Sequence, residues 1–364
     1  MHPILRQTYN KILKLASLGL KPYSRLILAG DNAGWVLDGE MREISNIARK
    51  LGIRVVNPSW RDASVHQAVF LADQFFLLND GWLALRHRIG FSYFHGLPDS
   101  GEPQFDQVYT ALSRHHERIS RIQVSHSQMR EAILQTGIEP AKVFLIPIGV
   151  NLDIFPLGSA ETTIAARQKL NIPQSAFVIG SFQKDGVGWG EGLEPKLVKG
   201  PDVFLASIRE LKAQIPELYV LLSGPARGFV KAGLEAMQVP YSHFYLDLYP
   251  QISELFQALD LYLVTSRQEG GPKAILESMA SGVPIISTRV GQATDLIQHG
   301  QNGWLTDMGN SEEIADLVLR VRNLSESCLA PILWRGRATA ENNSYLAQIP
   351  LWANFMEGFV VWNS

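Results

Sequence analysis

Cysteine is almost missing from this chain of 364 residues. The single Cys328 excludes an internal disulfide framework and any metal or cluster site built from thiolates. Long apolar runs are missing too, and nothing approaches the roughly 18 uninterrupted residues of a membrane span. Neither charge dominates: 33 Lys and Arg face 35 Asp and Glu, so no broad basic excess exists to neutralise nucleic-acid phosphates. No P-loop Gly-Lys-Ser/Thr, nucleophile elbow, Ser-His-Asp arrangement, Asp-x-Asp or metal-ligand spacing of His, Asp and Glu is visible. What these absences leave is a globular protein long enough for two domains, expected in a reducing, cytoplasmic setting.

The N-terminal stretch "MHPILRQTYNKILKLASLGLKPYSR" is too interrupted by charge for a cleavable signal. At about 100° per residue it puts Leu5, Tyr9, Ile12, Ala16 and Leu20 on one helix face, with Lys11, Lys14 and Lys21 opposite. Such a helix suits either its own domain's surface or peripheral contact with an anionic membrane.

Beyond it, short β-branched or aromatic runs alternate with helix-like stretches, the pattern of an α/β fold with parallel sheets. "RLILAG", "IRVVN", "AVFLADQFFLL", "GFSYFHG", "RIQVSHS" and "KVFLIPIGV" read as strands of a first series. "NLDIFPLGSAETT" reads as a linker, and a second series starts at "AFVIGSF". Two Rossmann-like halves are therefore expected, with ligand binding in a cleft between them. The aromatic tail "SYLAQIPLWANFMEGFVVW" is expected to pack as a helix.

The chemistry concentrates in "EGGPKAILE", Glu269 to Glu277, after the apolar run "LDLYLVTS". A strand buried on both faces, then a loop at its carboxyl end, is where open α/β sheets bind ligands. Gly270 and Gly271 let the backbone approach a ligand. Pro272 suits the first helical turn, and the free N–H groups of a helix start favour a phosphate. An acid beside a phosphate is repulsive, so Glu269 is read as accepting hydrogen bonds from the hydroxyls of a neutral sugar. Glu277, about one and a half turns into the helix, suits a ribose. Lys273 stands at the helix start between them.

Residues 258–305, from that strand through "MASGVPIISTRVGQATDLI", closely resemble the donor-binding segment of the retaining, GT-B-fold glycosyltransferases of group 1 (glycosyltransferase family 4-like), whose mark is Glu-x7-Glu. "RIQVSHSQMREAILQTGIEPAKVFLIPIGVNLDIF", "SYFHG" and "KGPDVF" extend the resemblance from residue 26 onward. It implies two Rossmann-like domains: an acceptor domain over 1–155, with a C-terminal helix of about 345–364 packing back on it, and a nucleotide-sugar donor domain over 156–344. It assigns Glu269 to the donor sugar, Glu277 to the ribose, and Gly270 and Gly271 to the sugar and diphosphate. Lys199 in "KGPD" matches the family lysine that neutralises the departing diphosphate. The companion arginine is absent, and Lys184 is the nearest basic residue. His95 matches a strand-end histidine facing the donor sugar, and Gly30 and Gly34 match the glycine loop after the first strand. The "GVGWGEG" loop is read as a mobile lid or acceptor loop, and His126 is placed near the cleft.

The expected activity is transfer of a hexose-type sugar from a UDP-, GDP- or ADP-linked donor to a hydroxyl of a glycan or lipid-linked acceptor. Configuration is retained, and the setting is cell-surface polysaccharide or lipopolysaccharide synthesis. No cofactor and no metal are expected, because lysines and a helix start take the leaving charge. The rival readings are a nucleotide-sugar epimerase or sugar-phosphate-type transferase on the same scaffold, and a catalytically silent subunit partnering another transferase.

Overall fold

The structure is a computed structural model that describes residues 21–30, 36–57, 66–79, 81–98 and 100–362. The amphipathic N-terminal helix and Gly34 lie outside the described residues. The chain divides into two compact units, one of residues 1–147 with 345–364, the other of residues 148–344. The division falls at Pro147–Ile148 rather than at 155, because Val150 and Phe155 of the expected linker are buried in the second unit's core.

In the first unit, β1 (Leu26–Ala29), β2 (Val55–Val56), β3 (Ala68–Leu71), β4 (Arg88–Tyr93), β5 (Ile119–Val124) and β6 (Val143–Leu145) form one sheet in the order β2-β1-β3-β4-β5-β6. Every pairing is parallel. Helices α1 (Val36–Lys50), α2 (Pro103–His115) and α3 (Ser127–Leu134) make the crossovers that parallel strands require. "AVFLADQFFLL" does not continue as a strand: after Leu71 it bends, Asp73 Oδ1 accepts the Phe75 N–H at 2.7 Å, and Phe75–Leu78 turns into a 3-10 helix.

The second unit repeats the plan with α4 (Ala160–Lys169), β7 (Phe177–Ser181), α5 (Pro201–Lys212), β8 (Leu218–Ser223), α6 (Gly228–Ala236), β9 (Tyr241–Phe244), α7 (Ile252–Gln257) and β10 (Leu261–Val264). It continues with α8 (Lys273–Ser281), β11 (Ile285–Thr288), α9 (Ala293–Leu296), β12 (Trp304–Thr306), α10 (Ser311–Arg322) and α11 (Glu326–Asn342). Its sheet, again all parallel, runs β12-β11-β10-β7-β8-β9. The chain winds outward from β7 through β8 to β9, then returns to β10 beside β7. That reversal makes the carboxyl ends of β7 and β10 the switch point at which open sheets open a crevice.

Each sheet is covered on both faces, which explains the near-continuous apolar strands. The aromatic tail forms α12 (Ile349–Met356), and its Trp352, Phe355 and Met356 bury with Phe359 against Phe70 and Leu26 of the first sheet. Arg121 ties the tail down by donating to the carbonyls of Phe355 and Glu357, and Arg88 by donating to that of Phe359. No helix among the described residues is long and apolar enough to cross a membrane.

Candidate active site

The site is built at the switch point of the second unit. β10 is buried along its whole length, and Thr265 and Ser266 remain buried as the strand ends. The loop that follows is fastened to the neighbouring turn Leu197–Lys199 in several ways. The Arg267 N–H donates to the Val198 carbonyl at 2.8 Å, and its guanidinium forms two parallel bonds to Asp202 at 2.7 and 2.6 Å. Thr265 Oγ1 donates to the Gly200 carbonyl at 2.9 Å. Gly200 must be glycine twice over: its φ is +64°, and a Cβ there would sit 1.9 Å from the Thr265 carbonyl oxygen. The two loops therefore meet backbone to backbone, and that contact carries Lys199 to Glu269.

Lys199 Nζ lies 2.6 Å from Glu269 Oε1, with the lysine side chain 26% and the glutamate 13% exposed. Ser266 Oγ donates to the same oxygen at 2.8 Å. Gln183, from the loop after β7, donates to the Lys199 carbonyl at 2.9 Å and holds the turn from the other side. The hydrogen bond from Arg267 keeps the Asp202 carboxyl below its ordinary range, and Asp202 in turn raises Arg267.

Helix α8 spans "KAILESMAS", and Pro272 stands just outside its first turn. Pro272 is its N-cap, with ψ at 108°, and Lys273 is the first helical residue. Pro272 keeps a carbonyl free to accept from the Ile275 N–H. Four residues into α8, Glu277 is buried at 4% exposure, and the Tyr249 hydroxyl donates to its Oε1. Lys273 Nζ lies 5.2 Å from the centroid of the same Tyr249 ring. Gly270 is buried and Gly271 half-buried, both in the loop between Glu269 and the helix.

Lys184 follows β7, with its ammonium 4.0 Å from the centroid of the Trp189 ring, and desolvation lowers its pKa. The glycine loop beyond it is not a free lid. It is a hairpin bridged at Gly186 and Pro195, and its Glu191 and Gly192 carbonyls accept the N–H groups of Gly228 and Phe229 at the start of α6. Beneath it lies a buried ion pair, Arg227 Nε to Asp185 Oδ1 at 3.0 Å, with both side chains at most 1% exposed. Arg227 also donates to the Ser181 and Ser223 carbonyls, joining the carboxyl ends of β7 and β8. Burial pushes the Asp185 carboxyl up against the opposing pull of Arg227.

The remaining residues belong to the first unit. His95 stands two residues past β4, exposed, with its ring edge-on to Phe75 and Phe105 and its carbonyl accepting from Gln74. Gly30 directly follows β1, and a Cβ there would make only ordinary contacts, the nearest with Asp38 Oδ1 at 3.6 Å. His126 caps helix α3, its Nδ1 accepting the Met129 N–H, which is a structural duty. Among the described residues no group of three or more His, Cys, Asp or Glu side chains converges as for a metal ion.

Sequence reasoning missed Ser266, Arg267, Asp202, Tyr249 and the Asp185–Arg227 pair. Their signal was faint: short polar residues at strand ends, and "GPARG" directly after β8.

Residues 193–332, within the second unit and spanning Lys199, Glu269 and Glu277, match the family described as glycosyl transferases group 1. Among curated proteins, a D-inositol 3-phosphate glycosyltransferase of Segniliparus rotundus is 25% identical over 79% of this chain and 65% of its own length. An N-acetyl-alpha-D-glucosaminyl L-malate synthase of Bacillus anthracis is 29% identical over 35% of this chain and 33% of its own. The chain thus spans less than two thirds of these relatives. Among solved structures, Anabaena HepE in complex with UDP-glucose aligns over 92% of this chain and 99% of its own, at 17% identity and a TM-score of 0.71. Staphylococcus aureus TarM aligns over 80% and 55%, at 14% and 0.61. The fold is that of the GT-B glycosyltransferases.

Proposed function

We propose that this protein is a glycosyltransferase that moves a sugar from a nucleotide-sugar donor to a hydroxyl of a glycan or lipid-linked acceptor, with retention of configuration. The observation that carries the reading is the Lys199–Glu269 ion pair beside the start of α8. A cation suited to a diphosphate and an acid suited to sugar hydroxyls meet where a helix offers its first N–H groups. In the donor complex, Lys199 turns from Glu269 to the diphosphate and offsets the charge that develops as it leaves. Glu269, released, accepts hydrogen bonds from the donor sugar. Glu277 takes the ribose, exchanging the Tyr249 hydroxyl for a ribose hydroxyl or sharing it. Lys184 supplies the second positive charge as a point charge rather than a bidentate fork.

A UDP-linked hexose is the donor we favour, since HepE was captured with UDP-glucose. Transfer proceeds without a divalent ion, because Lys199, Lys184 and the helix start carry the leaving charge. His95, Gly30 and Gly34 serve the donor sugar and the acceptor. The setting is cell-surface polysaccharide or lipopolysaccharide synthesis at the cytoplasmic face of the membrane.

Calorimetry with UDP, GDP, ADP and their glucose conjugates, without metal and then with Mg²⁺, tests the reading. Saturable metal-independent binding of one nucleotide is expected. A folded protein that binds none of them would instead be the silent partner of another transferase.

A further inference from the structure

Gln292 lies between β11 and α9, in "RVGQATDL", and is completely buried. Its carboxamide makes two hydrogen bonds whose direction is fixed by the partners. Oε1 accepts the Ile148 N–H at 2.9 Å, and Nε2 donates to the Pro272 carbonyl at 3.3 Å. Its own backbone N–H donates to the Gly270 carbonyl at 2.9 Å. The loop rests directly on this clamp, since a Cβ on Gly271 would lie 2.5 Å from Ile148 Cδ1 and 3.0 Å from Gln292 Oε1. Gly291, at φ +50°, comes so close that a Cβ there would sit 2.2 Å from the Gly270 carbonyl oxygen.

We infer that Gln292 is a positioning residue for transfer: by joining the loop Glu269–Pro272 to the backbone at Ile148, where the second unit begins, it holds Glu269 at the position the donor sugar requires. The inference rests on the transferase reading above. Lys199 and Ser266 fix the carboxylate end of the loop, whereas Gln292 fixes its far end, at Gly270 and Pro272. A reacting group displaced by about 1 Å can cost a hundredfold in rate, so slackening this end slows the sugar step. Ribose binding is spared, because Glu277 sits on α8 itself.

The test uses the full chain with Gln292→Ala and Gln292→Glu. Alanine removes both side-chain bonds and strands the buried Ile148 N–H, while the Pro272 carbonyl keeps only the Ile275 N–H. Glutamate keeps an acceptor for Ile148, and complete burial beside the Pro272 carbonyl favours its neutral form, whose proton can replace the lost N–H. For Gln292→Ala we expect hydrogen exchange at the Ile148 amide and through 269–273 at least about tenfold faster, with β10 amides unchanged. Turnover of the UDP-, GDP- or ADP-glucose conjugate that wild type uses should fall at least about tenfold, with the affinity for the bare nucleotide within about twofold. Gln292→Glu should recover protection at Ile148 and part of the turnover lost in Gln292→Ala. Unchanged exchange at Ile148, parallel loss of turnover and nucleotide affinity, or a Gln292→Glu that restored neither protection nor turnover would each overturn the inference. If wild type binds none of the three nucleotides, the transferase reading fails by itself, and exchange at Ile148 still decides whether the clamp exists.

Discussion

The two glutamates around the start of α8, Glu269 and Glu277, stand eight positions apart and live in different electrostatic worlds. Glu269 sits in a loop, 13% exposed, against an ammonium at 2.6 Å and a serine hydroxyl. Glu277 sits on a helix, 4% exposed, and receives a phenol hydroxyl. An acid that shares its lysine with an incoming diphosphate changes partners during a reaction. An acid held by a hydroxyl already has the kind of contact a ribose would offer. On the proposed reading, the loop acid serves exchange and the helix acid recognition.

Removing the loop acid should break this contrast most severely. Glu269→Gln is expected to lower turnover about 10²- to 10³-fold, the loss typical of a group acting where charge develops, with bare-nucleotide affinity nearly unchanged. Equal loss of nucleotide affinity in calorimetry would erase the division of roles. Lys199→Met comes next: turnover should fall about 10- to 100-fold, and the abandoned carboxylate should destabilise the fold. The double variant Lys199→Met/Glu269→Gln should be less destabilised than the two single effects together. Thermal unfolding of all four proteins reads that coupling directly.

The helix acid should answer differently. Glu277→Ala is expected to weaken nucleotide binding about tenfold, one good hydrogen bond to a charged group, with catalysis of the bound donor less affected. Tyr249→Phe keeps the ring under Lys273 and deletes only the hydroxyl, so a few-fold change in affinity is expected. Calorimetry with UDP separates the two. A larger effect for the tyrosine would make it, rather than Glu277, the ribose partner.

Much of this was legible because burial writes itself into strands. "LDLYLVTS" reads as a two-face-buried strand, and β10 is one. Its loop, helix and following strand come in the order their composition implies. What could not be read is contact made by topology. Lys199 and Glu269 are 70 residues apart in sequence, and they meet only because β10 returns beside β7. Arg227, in a glycine-rich turn, carries every sign of a surface residue, yet it is buried because three strand-end and loop partners replace its water. Gln292 is hidden for the same reason: nothing local marks a glutamine whose partners are the backbones at 148 and 272. Pro272 shows a finer limit, since it caps the helix instead of opening its first turn, a one-residue difference that sequence does not resolve.

The smallest effect concerns the brace beside the site. Asp202 and Arg267 form two parallel hydrogen bonds between the loop before Glu269 and the start of α5. The carboxyl pKa lies below its ordinary 3.8, chiefly through the hydrogen bond from Arg267. A depressed folded pKa means that the stabilisation is fully present above the unfolded value and disappears as pH falls through the folded one. Both side chains are more than a third exposed, so solvent screening holds the contribution to about 0.2–1 kcal/mol. Arg267→Gln should therefore lower the melting temperature by about 1–3 °C at pH 7, by less in 1 M salt, and by nothing measurable well below pH 3.8. Melting curves of both proteins from pH 7 down to the acid limit test the sign as well as the size. A gap that stayed constant on acidification would mean that Arg267 stabilises the loop through the Leu197 carbonyl it also binds, rather than through the carboxylate.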